Sequence, residues 1–141
     1  MKQKIIYLSW LIAIIATIGS LYFSNVMMLP PCSLCWWQRI CMYPLVLLFT
    51  AAFIRKDQNC IFYTTPIILI GFLISSYHNL LYYGLIEKSI IPCTSGVSCT
   101  SIQIEWLGFI TIPLLAWIAF AGLFILSIYS LLNPRNSNEK K

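Results

Sequence analysis

Two cysteines stand three residues apart in the segment Pro30-Pro31-Cys32-Ser33-Leu34-Cys35-Trp36-Trp37-Gln38-Arg39. A C-x-x-C pair does redox or metal chemistry when one sulfur is held as a thiolate. Two prolines cannot continue a helix, but they are tolerated at or before its first turn. The segment therefore predicts a helix that begins near Ser33 or Leu34 and carries Cys35 in its first turn. There the free backbone N–H groups and the helix dipole favour a negative sulfur. Arg39 follows Cys35 by four residues and shares its helix face. The expectation is an activated Cys35 thiolate beneath a guanidinium.

A second pair lies in Pro92-Cys93-Thr94-Ser95-Gly96-Val97-Ser98-Cys99. Five residues, one of them glycine, separate its cysteines, so a small disulfide loop is sterically plausible. Two pairs in outer loops suit an exported compartment, where disulfides persist. The remaining cysteines, Cys41 and Cys60, fall in apolar surroundings and are expected to be reduced and inert.

The elements that position these groups follow from the charge pattern. Of 141 residues, 60% are hydrophobic and 9% charged, against about 25% charged in soluble domains. No Asp, Glu, Lys or Arg occurs from Ile5 to Gln38, from Gln58 to Ile86, or from Trp106 to Pro134. Apolar runs of about 18 residues or more cross the hydrocarbon core. The reading is one integral membrane domain over residues 1–141, an all-α bundle of four transmembrane helices with two cysteine-bearing outer loops. Its spans are about Ile5–Phe23, Cys35–Ile54, Phe62–Leu85 and Leu107–Leu132. Span one is expected to be retained, since its apolar part is long for a signal core and no A-x-A site follows.

Basic residues set the expected orientation. Lys2 and Lys4 precede span one, Arg55 and Lys56 separate spans two and three, and Arg135, Lys140 and Lys141 follow span four. The other two connections carry only Lys88. Both termini and the Arg55–Cys60 connection should face the cytosol, with residues 24–34 and 86–106 outside. The net charge of +5 is thus an orientation signal and does not suggest nucleic acid.

Within the spans, Thr17, Gly19 and Ser20 read as small residues for close helix approach, which makes span one scaffold. Tyr22, Trp36, Trp37, Tyr82, Tyr83 and Trp106 fall near the outer boundary as an aromatic belt. The Trp36-Trp37 pair is also a candidate lining for an apolar site. Arg39 has a second reading as a snorkelling anchor. His78, the single histidine, lies seven residues from Leu85, about 10 Å along a helix. Arg39 lies five residues from Leu34, about 7.5 Å. The two should sit at similar depth. Gly108-Phe109-Ile110-Thr111-Ile112-Pro113 should open span four, with Pro113 early enough to be tolerated or to kink it.

Four outer cysteines admit structural disulfides, a four-cysteine metal site, or a redox relay. Transport is disfavoured because the polar groups cluster at one face instead of tracing a path. Structural disulfides are less needed where four spans supply the fold. A relay requires thiolate exchange between pairs and an acceptor that reaches Cys35 from the lipid. A membrane quinone is apolar, takes two electrons, and offers carbonyl oxygens to Arg39 or His78.

Four spans, C-x-x-C-(x)3-Arg at the start of span two, a second outer cysteine pair and a G-F-(x)3-P opening to span four resemble the disulfide bond formation protein B (DsbB) family. The short chain is particularly similar to its Gram-positive BdbC-type members. The resemblance covers essentially the whole chain and implies a thiol:quinone oxidoreductase in a bacterial cell membrane. It implies as partner an exported thioredoxin-like thiol-disulfide oxidoreductase, and menaquinone or ubiquinone as acceptor. By that resemblance Cys93 is attacked by the partner, Cys99 passes the disulfide on, and Cys32 exchanges with the second pair. Cys35 becomes the quinone-facing thiolate, Arg39 and His78 bind quinone, no metal is required, and the protein is monomeric. Two departures mark this chain. The better-known members have a longer stretch between the second-loop cysteines, and they carry an acid where Gln38 stands.

Overall fold

The computed structural model describes residues 2–28, 31–85 and 111–133. They form four helices: α1 (Lys2–Asn25), α2 (Ser33–Arg55), α3 (Cys60–Tyr82) and α4 (Ile112–Leu132). Each is long and apolar enough to cross a membrane, and no strand occurs among the described residues. The helices pack in cyclic order, α1 against α2, α2 against α3, α3 against α4 and α4 back against α1. This is the all-α four-helix bundle that the apolar runs predict.

Helix ends follow local chemistry. Cys32 is the N-cap of α2, in extended conformation, so the helix begins at Ser33 and Cys35 falls in its first turn. Lys56 closes α2 in the left-handed region, donating its N–H to Ala52 O and Phe53 O. Asp57 then accepts from Asn59 N and from the Tyr63 hydroxyl, at 2.9 and 2.8 Å, and shapes the turn into α3. That helix stops at Tyr82 rather than reaching Leu85. Gly84 takes a positive φ of 72° and reverses the chain, with Leu85 N donating to Leu80 O at 3.0 Å. Such a left-handed glycine ends a helix because it lacks a clashing Cβ. Thr111 caps α4, its hydroxyl accepting from Leu114 N at 3.4 Å. Pro113 therefore sits in the first turn, where its missing N–H is harmless. Residues 107–110 of the expected fourth span lie outside the described residues.

The core runs along the bundle axis through Ile6, Ala13, Met42, Leu45, Phe49, Ile61, Ile68, Phe120 and Leu123. Many large apolar side chains instead face outward, among them Ile15, Leu47, Phe62 and Ile125. Hydrocarbon, not water, suits that exterior. Polar contacts tie the helices: Trp10 Nε1 donates to Thr50 Oγ1 at 2.8 Å, Thr65 Oγ1 meets Ser127 Oγ at 3.0 Å, and Trp117 Nε1 donates to Ser76 Oγ at 3.0 Å. Asn79 Nδ2 donates to Pro113 O at 2.9 Å and joins α3 to α4 beside His78. At Gly71 the α4 ring of Phe120 fills the space that a Cβ would need.

Candidate functional site

The α2 N-terminus brings Cys32 and Cys35 together. Their sulfurs lie 2.9 Å apart as free, hydrogen-bonded thiols, so little movement separates them from a disulfide. Cys32 is buried and Cys35 half-buried. Cys32 forms a small buried cluster with Leu34 and with Leu81 of α3, against which Cys35, Ile74 and Tyr77 pack. The first-turn geometry follows from the extended Cys32 backbone, which turns its sulfur back to accept from Cys35 N at 3.4 Å. A capping side chain meets an N–H that the helix itself leaves free.

His78 stands across from this sulfur, 2% exposed, with Nε2 3.8 Å from Cys32 Sγ. Its other nitrogen, Nδ1, is 3.2 Å from Gln38 Nε2. With that carboxamide nitrogen donating to Nδ1, the imidazole proton resides on Nε2 and points at Cys32. The Cys32 thiol, just outside the span, is lowered from 9.0 to about 4. The hydrogen bond from Cys35 is the main cause, and His78 adds to it against the opposing effect of burial. The donors in this reduced structure converge on Cys32, because the N-capping sulfur is the one turned toward them.

Arg39 is half-buried and reaches α1 instead of bonding to Cys35. Its Nε donates to Ser20 Oγ at 2.9 Å, and its Nη2 to Ser20 O at 3.1 Å and to Ser24 Oγ. The guanidinium also lies over the Trp36 ring, 5.7 Å from its centroid. Arg39 still borders Cys35 through a shared space. A cavity of about 370 Å³ opens between α1, α2 and α4, with Cys35, Gln38, Arg39, Ser20 and Thr17 among its lining. The rest is mostly aliphatic and aromatic, including Ile12, Ala16, Met42, Ala119 and Phe120. An apolar cavity with a few convergent polar groups is the usual form of a small-molecule site.

His78 is level with Gln38, as the depth argument requires, but it does not line the cavity and sits on the thiol side. The reason is register: Gln38 and Arg39 are adjacent on α2 and point to different neighbours, α3 and α1. The Trp36-Trp37 pair is exposed and lines no part of the cavity, which leaves it an outward aromatic role beside Tyr22 and Tyr83. Span one is more than scaffold, since its hydroxyls hold Arg39. Gly19 makes no close helix contact, with nothing within 4 Å of an added Cβ. Gln38 and Thr17 line the cavity without belonging to any motif that marks them in the sequence. The only sequence signals were a polar residue beside the lone arginine and hydroxyls spaced by three and four on α1. Cys41 and Cys60 are buried in the core, away from the pair. Cys93, Cys99 and Trp106 lie outside the described residues.

The same atoms have metal-binding character. Ligand atoms of Cys32, Cys35 and His78 all lie within 4.8 Å of one another, a sulfur-rich set suited to zinc or other soft ions.

Four apolar helices presenting a hydrogen-bonded thiol pair at one end define a multi-pass membrane protein of thiol-disulfide chemistry. The profile of the family described as "Disulfide bond formation protein DsbB" matches residues 2–130, and the chain belongs to that family. It is 47% identical over 127 residues to the "Disulfide bond formation protein C" of Bacillus subtilis (strain 168), covering 89% of this chain and 92% of that one. It is 41% identical over 132 residues to the "Probable disulfide formation protein C 1" of Bacillus anthracis, at 94% and 95% coverage. The "Probable disulfide formation protein" of Coxiella burnetii (strain RSA 493 / Nine Mile phase I) is 40% identical over 136 residues, at 93% and 92%. No solved structure matches. The protein is therefore a membrane oxidoreductase whose role is thiol oxidation in disulfide formation, with a thiol-disulfide oxidoreductase as partner.

Proposed function

We propose that the protein is a thiol:quinone oxidoreductase that reoxidises an exported thioredoxin-like dithiol oxidase. The observation that carries this reading is the Cys32–Cys35 pair at the rim of the apolar cavity. Electrons enter at Cys93 and Cys99, pass to Cys32 and Cys35, and leave to a membrane quinone, menaquinone or ubiquinone. The basic-residue bias favours outward-facing cysteine pairs and cytosolic termini. Each turnover converts two partner thiols to a disulfide by successive exchanges, so two electrons and two protons move inward together.

The cavity fits a quinone in kind: its walls are apolar, and Arg39 and Gln38 in its lining would offer polar partners to a bound quinone's oxygens. A bound quinone supplies the terminal two-electron, two-proton acceptor. Cys32, with its anion stabilised, is suited to exchange with the second pair, and Cys35 borders the cavity. His78 holds a proton on Nε2 facing Cys32, and Gln38 fixes that tautomer. Arg39, pinned by Ser20 and Ser24, holds a fixed positive charge at the cavity wall, where it stabilises negative charge that develops nearby.

The test is quinone reduction by the purified protein in detergent with a reduced thioredoxin-like substrate. Turnover should vanish in Cys35→Ser and fall in Arg39→Ala, while that arginine variant still exchanges thiols with the substrate. The cluster of Cys32, Cys35 and His78 favours one second reading, a structural metal site. Stoichiometric zinc retained through purification, together with no quinone reduction, would establish it and end the relay reading.

A further inference from the structure

Three ligand atoms from two helices converge at the start of α2. The sulfurs of Cys32 and Cys35 lie 2.9 Å apart, and His78 Nε2 stands 3.8 Å from Cys32 Sγ. All three atoms fall within 4.8 Å of one another. Zinc binds sulfur at about 2.3 Å and imidazole nitrogen at about 2.0 Å, with tetrahedral angles. That geometry sets two sulfurs about 3.8 Å apart, and a sulfur and a nitrogen about 3.6 Å apart. The sulfur–nitrogen distance therefore already fits, and the sulfurs must part by roughly 1 Å. Cys35 can supply that movement, since it is only half-buried and borders the cavity.

The surroundings suit a cation as well. A histidine that binds a metal has its other ring nitrogen held by a hydrogen bond. Gln38 meets His78 Nδ1 at 3.2 Å, and a carboxamide carries both a donor and an acceptor. With the amide turned over, its oxygen accepts the Nδ1 proton and leaves the Nε2 lone pair facing the sulfurs. Gln38 thus serves either state of the ring. Two thiolates and one divalent cation sum to zero charge, which suits a buried site better than an unpaired charge does. The described residues supply three ligands, whereas a structural zinc site closes with four. Three protein ligands and a water make an open site.

We propose that reduced Cys32 and Cys35, with His78, bind one zinc ion, and that the bound ion blocks oxidation of the pair. On binding, the thiols give their remaining protons to water and both sulfurs bond to the metal. The ion is neither oxidised nor reduced. A disulfide cannot form while both sulfurs are held by zinc, and forming one removes two of the three ligands. Metal and oxidant therefore compete for the same two sulfurs, and the site acts as a reversible brake. A structural metal site would instead keep its ion through every cycle. The inference rests on the thiol-oxidation role of the pair and does not involve the quinone.

The test titrates cobalt(II), then zinc, into the full-length chain in detergent, with Cys41, Cys60, Cys93 and Cys99 replaced by serine. The reduced protein should take up one cobalt with thiolate charge-transfer absorption, and one equivalent of zinc should displace it. The Cys32–Cys35 disulfide form should bind neither. His78→Gln and Gln38→Leu, checked for parental helical circular dichroism, should each weaken zinc binding by roughly ten- to a hundredfold. Zinc should slow disulfide formation by diamide in proportion to the fraction of protein loaded, and EDTA should restore the rate. Equal metal uptake by the reduced and disulfide forms would overturn the proposal, whether or not the variants fold. Full affinity in a folded His78→Gln, or a diamide rate that bound zinc leaves unchanged, would also overturn it. None of these assays contains quinone, so the quinone reading stands or falls separately on the turnover measurement.

Discussion

Removing His78 should return Cys32 toward an ordinary thiol. In the reduced protein this thiol is lowered to about 4, so it is almost wholly thiolate at neutral pH, where a free cysteine is a few per cent ionised. Two of the groups responsible are lost separately. Cys35→Ala removes the leading donor, and His78→Ala removes the imidazole 3.8 Å away. A hydrogen bond to a charged group contributes about 1.5–3 kcal/mol, and one pKa unit is about 1.4 kcal/mol. The long N–H···S contact belongs at the weak end of that range, so His78→Ala should raise the Cys32 midpoint by about one unit, and Cys35→Ala by more. The thiolate ultraviolet absorbance of the reduced protein, titrated in a Cys41→Ser, Cys60→Ser, Cys93→Ser, Cys99→Ser background, reads this directly. Stability carries the same signature. Because the folded value is depressed, the thiolate's contribution is complete above about pH 9 and declines as pH falls toward about 4. The reduced protein should lose stability over that window relative to its Cys32–Cys35 disulfide form, which has no thiol to titrate there. A Cys32 midpoint above neutral, or one that His78→Ala leaves in place, would refute the assignment of the anion to Cys32.

Two further substitutions probe the frame around the site. Gly71→Ala would drive a Cβ into the Phe120 ring, and that ring is too buried to swing clear. The variant should lose about 1–3 kcal/mol in denaturant unfolding, with partial recovery in Gly71→Ala/Phe120→Leu; equal stability would show that α3 and α4 are not held this closely. Gly19 borders the cavity with open space where a Cβ would stand, so Gly19→Leu should fold, fill the cavity and abolish quinone binding without moving the Cys32 titration. Retained quinone affinity in Gly19→Leu would place the ligand elsewhere.

The sequence by itself determined the bundle. Long runs without a charged residue leave the chain no alternative to membrane-crossing helices, because every backbone polar group in hydrocarbon must be satisfied within its own segment. It also determined where α2 begins, since Pro31 cannot continue a helix and Cys32 can cap one. It placed the thiol pair at a helix start for the same local reason. Tertiary structure decided what faces the pair. Arg39 and Gln38 are neighbours in sequence, yet one turns to hydroxyls on α1 and the other to His78 on α3. That choice depends on how α2 is rotated against two other helices, which periodicity cannot reveal in a span that is apolar on all sides. The same rotation set His78 on the thiol side of the bundle, 3.8 Å from the Cys32 sulfur. Thr17 likewise reads as one more small residue in a span, and only packing places it in the wall of the cavity.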